Sequence, residues 1–384
     1  MSRPAAKNTT AQNTAAQNTA AQGTTTQGTT AQGLGQPTTA GLNPASGYSR
    51  LVHGLAVALT IAVFPLIWVG GLVTTYDAGM AVPDWPGTYG WNMFAYPAST
   101  WLYGPFDLLV EHSHRLLGTL AGFLSIGLVI AAFRWDNRPW FRWWCVFVLL
   151  AVIAQGGLGG ARVVLDQRTF AMIHGCTGPL FFAIATATAV MSSHWWLRRD
   201  SSVPTEVLPA RPRKHSSGSG LAWLATLLVL ASYTQLILGA QLRHVTAVVS
   251  PTTFMAFVHT HLSLAGLVAL LTLSLAGCAM LGRETSPRIR RPAGLLLLMV
   301  LMQIGLGVST WIVKYALPWP ELNQGLASYT IHAKGYWESM IITAHMATGS
   351  LIISLATLVA LRAWRVRYVN RGMLHTVSAT GSGR

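Results

Sequence analysis

Eight apolar runs, each roughly twenty residues long, constrain this chain more than any other feature. They fall near residues 51–74, 107–132, 143–161, 170–192, 220–241, 253–281, 293–315 and 337–361. Each is long enough to cross about 30 Å of hydrocarbon. Inside lipid, backbone N–H and C=O groups have no water to bond, so each span must pair them within itself. The runs therefore predict an all-α integral membrane protein of eight transmembrane helices. Charge usage agrees, since only 10% of residues are Asp, Glu, Lys or Arg, against about 25% in soluble domains.

The net charge of +15 would suit a nucleic-acid surface. The basic residues, however, sit in short clusters between the runs, where membrane proteins keep their topology signals, and no basic stripe or binding motif accompanies them. No nucleic-acid partner is expected. The connections FRWDNRPWFR, RRDSSVPTEVLPARPRK, GRETSPRIRR and the final RAWRVRYVNR carry most of the Lys and Arg. The alternate connections hold only Arg162, Arg168, Arg243, Lys314 and Lys334, and 75–106 holds none. By the positive-inside rule both termini lie in the cytoplasm and the chain sits in the cell membrane. Cys145, Cys176 and Cys278 all fall within apolar runs and form no CxxC pair, so neither a zinc site nor a disulfide framework is indicated.

Residues 1–48 are a low-complexity tail, with repeats such as AAQNTAAQNTAAQG, too poor in apolar residues to offset the entropy of ordering. The tail has no short apolar core of the kind that opens a signal peptide. A first set of four helices then spans 49–192, and a cytoplasmic linker rich in Ser, Pro, Arg and Lys spans 193–219. A second set spans 220–368 and a C-terminal tail 369–384. The two sets are alike. HSHRLLGTLAG (112–122) on the second helix answers HTHLSLAG (259–266) on the sixth, and AQGGLGGARVV on the third answers MQIGLGVSTW on the seventh. Four helices repeated in one orientation predict two four-helix bundles about a pseudo-twofold axis along the membrane normal.

Histidine inside a membrane helix is uncommon and usually functional. Here every even-numbered helix has one near its outer end: His112 and His114, His174, His259 and His261, and His345. The odd helices have none at comparable depth. Imidazoles at one level on four helices can form two facing pairs, one per set, which suits the two axial positions of haem iron. Other metals would call for carboxylate or thiolate ligands that are not at hand. Residues two apart on a helix point about 200° from each other, so His112 and His114 cannot serve one site, and the same holds for His259 and His261. Glu111 and His114, three apart, share a face. On the sixth helix the matching positions are Val258 and Ala256, so only the first set has an acid beside its pair. The first set is thus expected to react and the second to relay electrons.

The stretch Glu111-His112-Ser113-His114-Arg115 resembles the E-x-x-H-R motif of the haem A synthase family. The segment GGLVTTYDAGMAVPDWPGTYGWN (70–92) is similar to that family's first outer loop, and the helix count, repeat and even-helix histidines agree. The resemblance covers roughly residues 50–368. It implies oxidation of a ring methyl of haem O to the formyl group of haem A for cytochrome oxidase. It implies that His114 and His174 hold the substrate haem and that His261 and His345 hold a resident haem b. It also implies that Glu111 stands near the reacting methyl, taking up protons or stabilising positive charge. His112 and His259 remain as alternative ligands.

Arg115, next to a ligand, would meet a haem propionate, as would Arg162, Arg243 and Lys314 at outer helix ends; snorkelling to the interface explains the last three equally well. The expected partners are the lipid bilayer, a haem O synthase delivering substrate, an unidentified electron carrier and the cytochrome oxidase assembly machinery. Some bacterial members carry a cysteine pair in the first outer loop. This chain has none there, so no mechanism that depends on such a pair applies. The rival readings are a non-catalytic di-haem cytochrome b passing electrons from quinol to a partner, and a transporter. Transporters often break helices at the membrane midplane, and these helices show no paired mid-span proline interruptions.

Overall fold

The computed structural model describes residues 49–197, 218–244, 249–282, 285–315 and 335–381. The expected low-complexity tail, residues 1–48, and most of the expected linker lie outside them. Eight long apolar helices dominate: α1 (Arg50–Thr75), α2 (Phe106–Trp135), α3 (Pro139–Leu165), α4 (Arg168–Ser192), α5 (Gly218–Arg243), α6 (Pro251–Leu281), α7 (Pro287–Tyr315) and α8 (Tyr336–Gly381). All eight are long and apolar enough to cross a membrane. Among the described residues no strand occurs, only an isolated bridge between Thr88 and Trp91. The chain is an all-α, multi-pass membrane protein.

The helix starts follow from local chemistry. Ser49 and Ser250 accept the N–H groups of Val52 and Thr253, and so cap α1 and α6. Pro139 and Pro251 stand in the first turn, where a missing N–H costs nothing. α8 continues past its apolar run to Gly381 instead of stopping near 368. No proline lies between residues 362 and 381 to halt a helix already nucleated in the membrane.

Packing follows the sequence order. α1, α2, α3 and α4 form a closed ring in which each touches the next and α4 returns to α1; α5 to α8 do the same. Between the rings, α4 packs on α8, α1 on α8, and α4 on α5. Thr186 of α4 and Ser354 of α8 share a hydrogen bond of 2.6 Å at this junction, where two buried hydroxyls satisfy each other. Each ring has its own apolar core, one around Leu59, Leu128, Phe141 and Phe182, the other around Leu228, Leu275, Leu296 and Ile352. The outward faces are apolar too: Ile130, Leu150, Ile153, Leu270, Leu298 and Leu301 are all exposed, as lipid-facing residues must be.

Candidate haem site

In the first ring α2 and α4 bring the rings of His114 and His174 together, with centres 6.1 Å apart and planes at 88°. Two metal–imidazole bonds of about 2 Å each, plus a ring radius of about 1 Å on either side from bonds near 1.33 Å, span about 6 Å. The pair therefore has the separation that one iron between two imidazoles requires. In the second ring His345 lies within electrostatic reach of His261.

Each of these four histidines rests on a glycine of the preceding odd helix. A Cβ on Gly70 of α1 would stand 2.7 Å from His114 Cε1; on Gly159 of α3, 3.4 Å from His174 Cε1; on Gly239 of α5, 3.2 Å from His261 Cε1; on Gly307 of α7, 3.1 Å from His345 Cε1. The backbone groove left by the missing side chain admits the ring. One turn before each glycine is the carbonyl that the ring's Nδ1 faces. His114 Nδ1 lies 3.2 Å from the Leu66 oxygen. His174, His261 and His345 face the carbonyls of Gln155, Gln235 and Gln303 in the same way, although their Nδ1 atoms fall short of full hydrogen-bond geometry. An Nδ1–H directed at a carbonyl leaves Nε2 unprotonated and free to bind a metal. Among the described residues no cluster of three or more His, Cys, Asp or Glu converges. The donor sets are imidazole pairs, which fit haem and do not fit a tetrahedral zinc centre.

The alternative histidines stand elsewhere. His112 is buried beneath the outer loop, with Nδ1 3.3 Å from Thr88 Oγ1 and its ring 4.8 Å from Trp101 and 5.5 Å from Tyr96. His259 is exposed on the outside of α6. Neither has a glycine cradle.

Glu111 and Arg115 are the centre of a buried network. Arg115 donates to Glu111 Oε1 at 2.7 Å and to the carbonyls of Val82, Asp84 and Gly87 at 2.8, 2.6 and 2.7 Å. The Val82 N–H donates to Glu111 Oε2 at 3.0 Å. The connection between α1 and α2 is thereby drawn down as a roof over the outer end of the first ring. Within it, Ala78–Met80 forms a 3-10 turn and Ala98–Leu102 a short helix. The Arg162 guanidinium tucks under Gly79, and Trp85 lies against Gly160 of α3, where a side chain would collide with either.

Asp84 serves this roof, accepting from the N–H groups of Tyr89 (2.7 Å) and Gly90 (2.9 Å). Burial alone would raise its pKa, but those two N–H groups and the nearby Arg115 charge outweigh it and hold the carboxyl below its ordinary value of 3.8. Gly90 adopts φ +77°, a conformation that suits glycine at this turn.

The structure thus sets Arg115 against loop carbonyls. Arg162 lies under the roof. Arg243 of α5 crosses to the first ring, donating to the Gly71 carbonyl (3.0 Å) and Thr75 Oγ1 (2.6 Å). Lys314 is exposed at the end of α7. The cradle glycines and the roof residues Val82 and Trp85 were not foreseen from sequence. A signal existed for the cradles, since Gln-x-x-Leu-Gly recurs at 155–159, 235–239 and 303–307.

Fold and site together define a multi-pass membrane protein whose even helices present imidazoles in pairs on glycine-lined neighbours. Residues 53–259, over half the chain, match the COX15-CtaA family, described as cytochrome oxidase assembly protein. The chain belongs to that family. Among its relatives is a heme A synthase of Exiguobacterium sp., 24% identical over 270 residues, covering 66% of this chain and 81% of that protein. A heme A synthase of Beijerinckia indica is 27% identical over 217 residues, covering 48% and 55% respectively. One of Shouchella clausii is 25% identical over 203 residues, covering 52% and 62%. The chain thus spans little more than half the length of the last two.

Proposed function

We propose that this chain is a haem A synthase, oxidising a ring methyl of haem O to the formyl group of haem A for cytochrome oxidase. The observation that carries the reading is the 6.1 Å His114–His174 pair, beside which stands a buried carboxylate. In this reading His114 and His174 hold the substrate haem, and His261 and His345 hold a haem b. When bound, that haem b supplies a one-electron relay. Methyl to formyl adds one oxygen atom, taken from water, and releases electrons and protons, so a carrier outside the chain must accept the electrons. A haem O synthase would supply the substrate, and the oxidase assembly machinery would receive the product.

The chain's own groups then have separable tasks. The cradles on α1, α3, α5 and α7 orient the four imidazoles and hold their Nδ1 protons, which keeps Nε2 for iron. The roof covers the outer end of the first ring, held there by Glu111 and Arg115. Glu111 uses one acceptor site for Arg115 and one for Val82; a carboxylate has about four. The remaining sites are available to a proton or to positive charge developing on the substrate carbon. The two rings are related by a pseudo-twofold axis along the membrane normal, a reading supported by the matching α1–α8 and α4–α5 contacts. Both termini face the cytoplasm of the cell membrane, as the basic loops imply.

Extracting haem from cells with and without the protein tests the proposal. Conversion of haem O to haem A supports the enzyme, whereas bound haem without conversion supports an electron-passing di-haem cytochrome b. Glu111→Gln keeps an acceptor for the Val82 N–H. It is expected to retain haem and lose at least about a hundredfold in conversion, the range of general acid–base assistance. Normal haem A output from that variant would refute the role of Glu111.

A further inference from the structure

At the end of the second ring opposite the histidines, a recess of about 200 Å³ opens between α7 and α8, lined by Pro287, Arg288, Arg291, Pro292 and Arg362. From His345 to Arg362 α8 rises about 26 Å, which places the recess at headgroup depth in a bilayer core of about 30 Å. Arg362 Nη1 donates to the Arg288 carbonyl at 2.7 Å, which holds the guanidinium over the first turn of α7. Its Nε is buried and has no hydrogen-bond partner. Arg288 and Arg291, three apart on one face of α7, form no ion pair among the described residues, and the first turn of α7 has no acid.

These charges gather at the positive end of a helix dipole, where cations are disfavoured and anions favoured. The positive-inside rule explains why arginines occur at this end of the chain; it does not make them converge on one recess. Arg290, in the same turn, differs instructively: its guanidinium is spent on the Ala279 and Gly282 carbonyls that end α6. Leu295 and Leu298, four and seven residues on from Arg291 and so on the same face of α7, are exposed.

We propose that this recess binds the phosphodiester headgroup of an anionic phospholipid, with its acyl chains lying along the exposed face of α7. Arginine matches phosphate oxygens with paired N–H donors. Arg362 Nε has the unmet donor, while Arg288 and Arg291 close the site from the solvent side.

The test uses the purified full chain in detergent, titrated with short-chain phosphatidylglycerol, with phosphatidylcholine, or with inorganic phosphate, while the thermal unfolding midpoint is followed. Phosphatidylglycerol is expected to raise the midpoint saturably, and the other two are not. Arg288→Ala and Arg291→Ala, both exposed positions, should each shift half-saturation about fivefold higher, the equivalent of about 1 kcal/mol per basic residue. Arg134→Ala, an exposed arginine at the end of α2, should leave it unchanged. Equal stabilisation by inorganic phosphate would overturn the lipid assignment. An unshifted Arg291→Ala curve, or an equal shift from Arg134→Ala, would overturn the site itself.

Discussion

On α2 the residues flanking the cradled histidine are Glu111, three before it, and Arg115, one after. On α6 the same places hold Val258 and Leu262. The first pair of charges is buried and joined to a loop; the second pair of residues is apolar, with Val258 inside and Leu262 turned outward. The two rings share a way of holding imidazole and differ in what stands next to it. A glycine groove and a carbonyl suffice to aim a ring, so both rings have them. A buried ion pair costs several kcal/mol of desolvation per ion, and only geometry with further hydrogen bonds offsets it. The first ring meets that cost with three loop carbonyls and the Val82 N–H. The difference supports the proposal that the first ring is the reacting half, on grounds separate from the histidines themselves.

Removing Arg115 tests this asymmetry most severely. Arg115→Ala leaves Glu111 buried without its partner and frees three carbonyls of the roof, so it should cost about 3–5 kcal/mol in the first ring. Leu262→Ala, its counterpart, lies in lipid and should cost under about 1 kcal/mol. Hydrogen exchange of residues 78–90, followed with the midpoint of thermal unfolding, reads both. Equal effects from the two variants would mean that the roof is not anchored through Arg115.

The cradles give a graded series within and between the rings. Gly70→Ala puts its Cβ 2.7 Å from His114, a ring already fixed by the Leu66 carbonyl, and should weaken haem retention at the first pair about tenfold or more, as overpacking by 1–3 kcal/mol implies. Gly307→Ala and Gly239→Ala, at 3.1 and 3.2 Å, require a small shift of His345 or His261 and should weaken retention at the second pair by a few-fold. Gly159→Ala, at 3.4 Å, makes ordinary contact and should be close to neutral. Pyridine extraction and low-temperature electron paramagnetic resonance of each variant would rank them. A rank order unrelated to these distances would show that the glycines do not seat the rings.

The comparison also shows which parts of the molecule can be read from the chain and why. The eight spans were legible because lipid forces each to be long, apolar and self-bonded, and their observed ends extend the apolar runs by a few residues, except that α8 runs on to Gly381. The even-helix histidines were legible for the opposite reason, since a polar ring at that depth has few other uses. The choice between His112 and His114 was not legible from adjacency. It turns on whether a glycine on α1 or a threonine of the loop meets the ring, and that depends on helix packing. The roof was hidden more deeply, because Arg115 binds main-chain carbonyls, which every residue has. Only the glutamine–glycine repeat of the odd helices left a readable trace, and the first cradle breaks even that by using Leu66 in place of glutamine.

The mildest probe of the asymmetry is protonation of the roof. Asp84 has a folded-state pKa below 3.8, so its contribution to the folded roof is fully present above that value and is lost as pH falls through the depressed one. As pH falls below 3.8 the fluorescence of Trp85 and Trp91 should therefore report loosening of the roof, and the optical signature of the second pair should not change. Asp84→Asn keeps an oxygen for one of the two N–H groups and removes the titrating charge. It is expected to abolish this pH step and to leave the roof slightly looser at neutral pH. A step that persists in Asp84→Asn would show that the acid sensitivity of the roof does not reside in Asp84 and its two N–H partners.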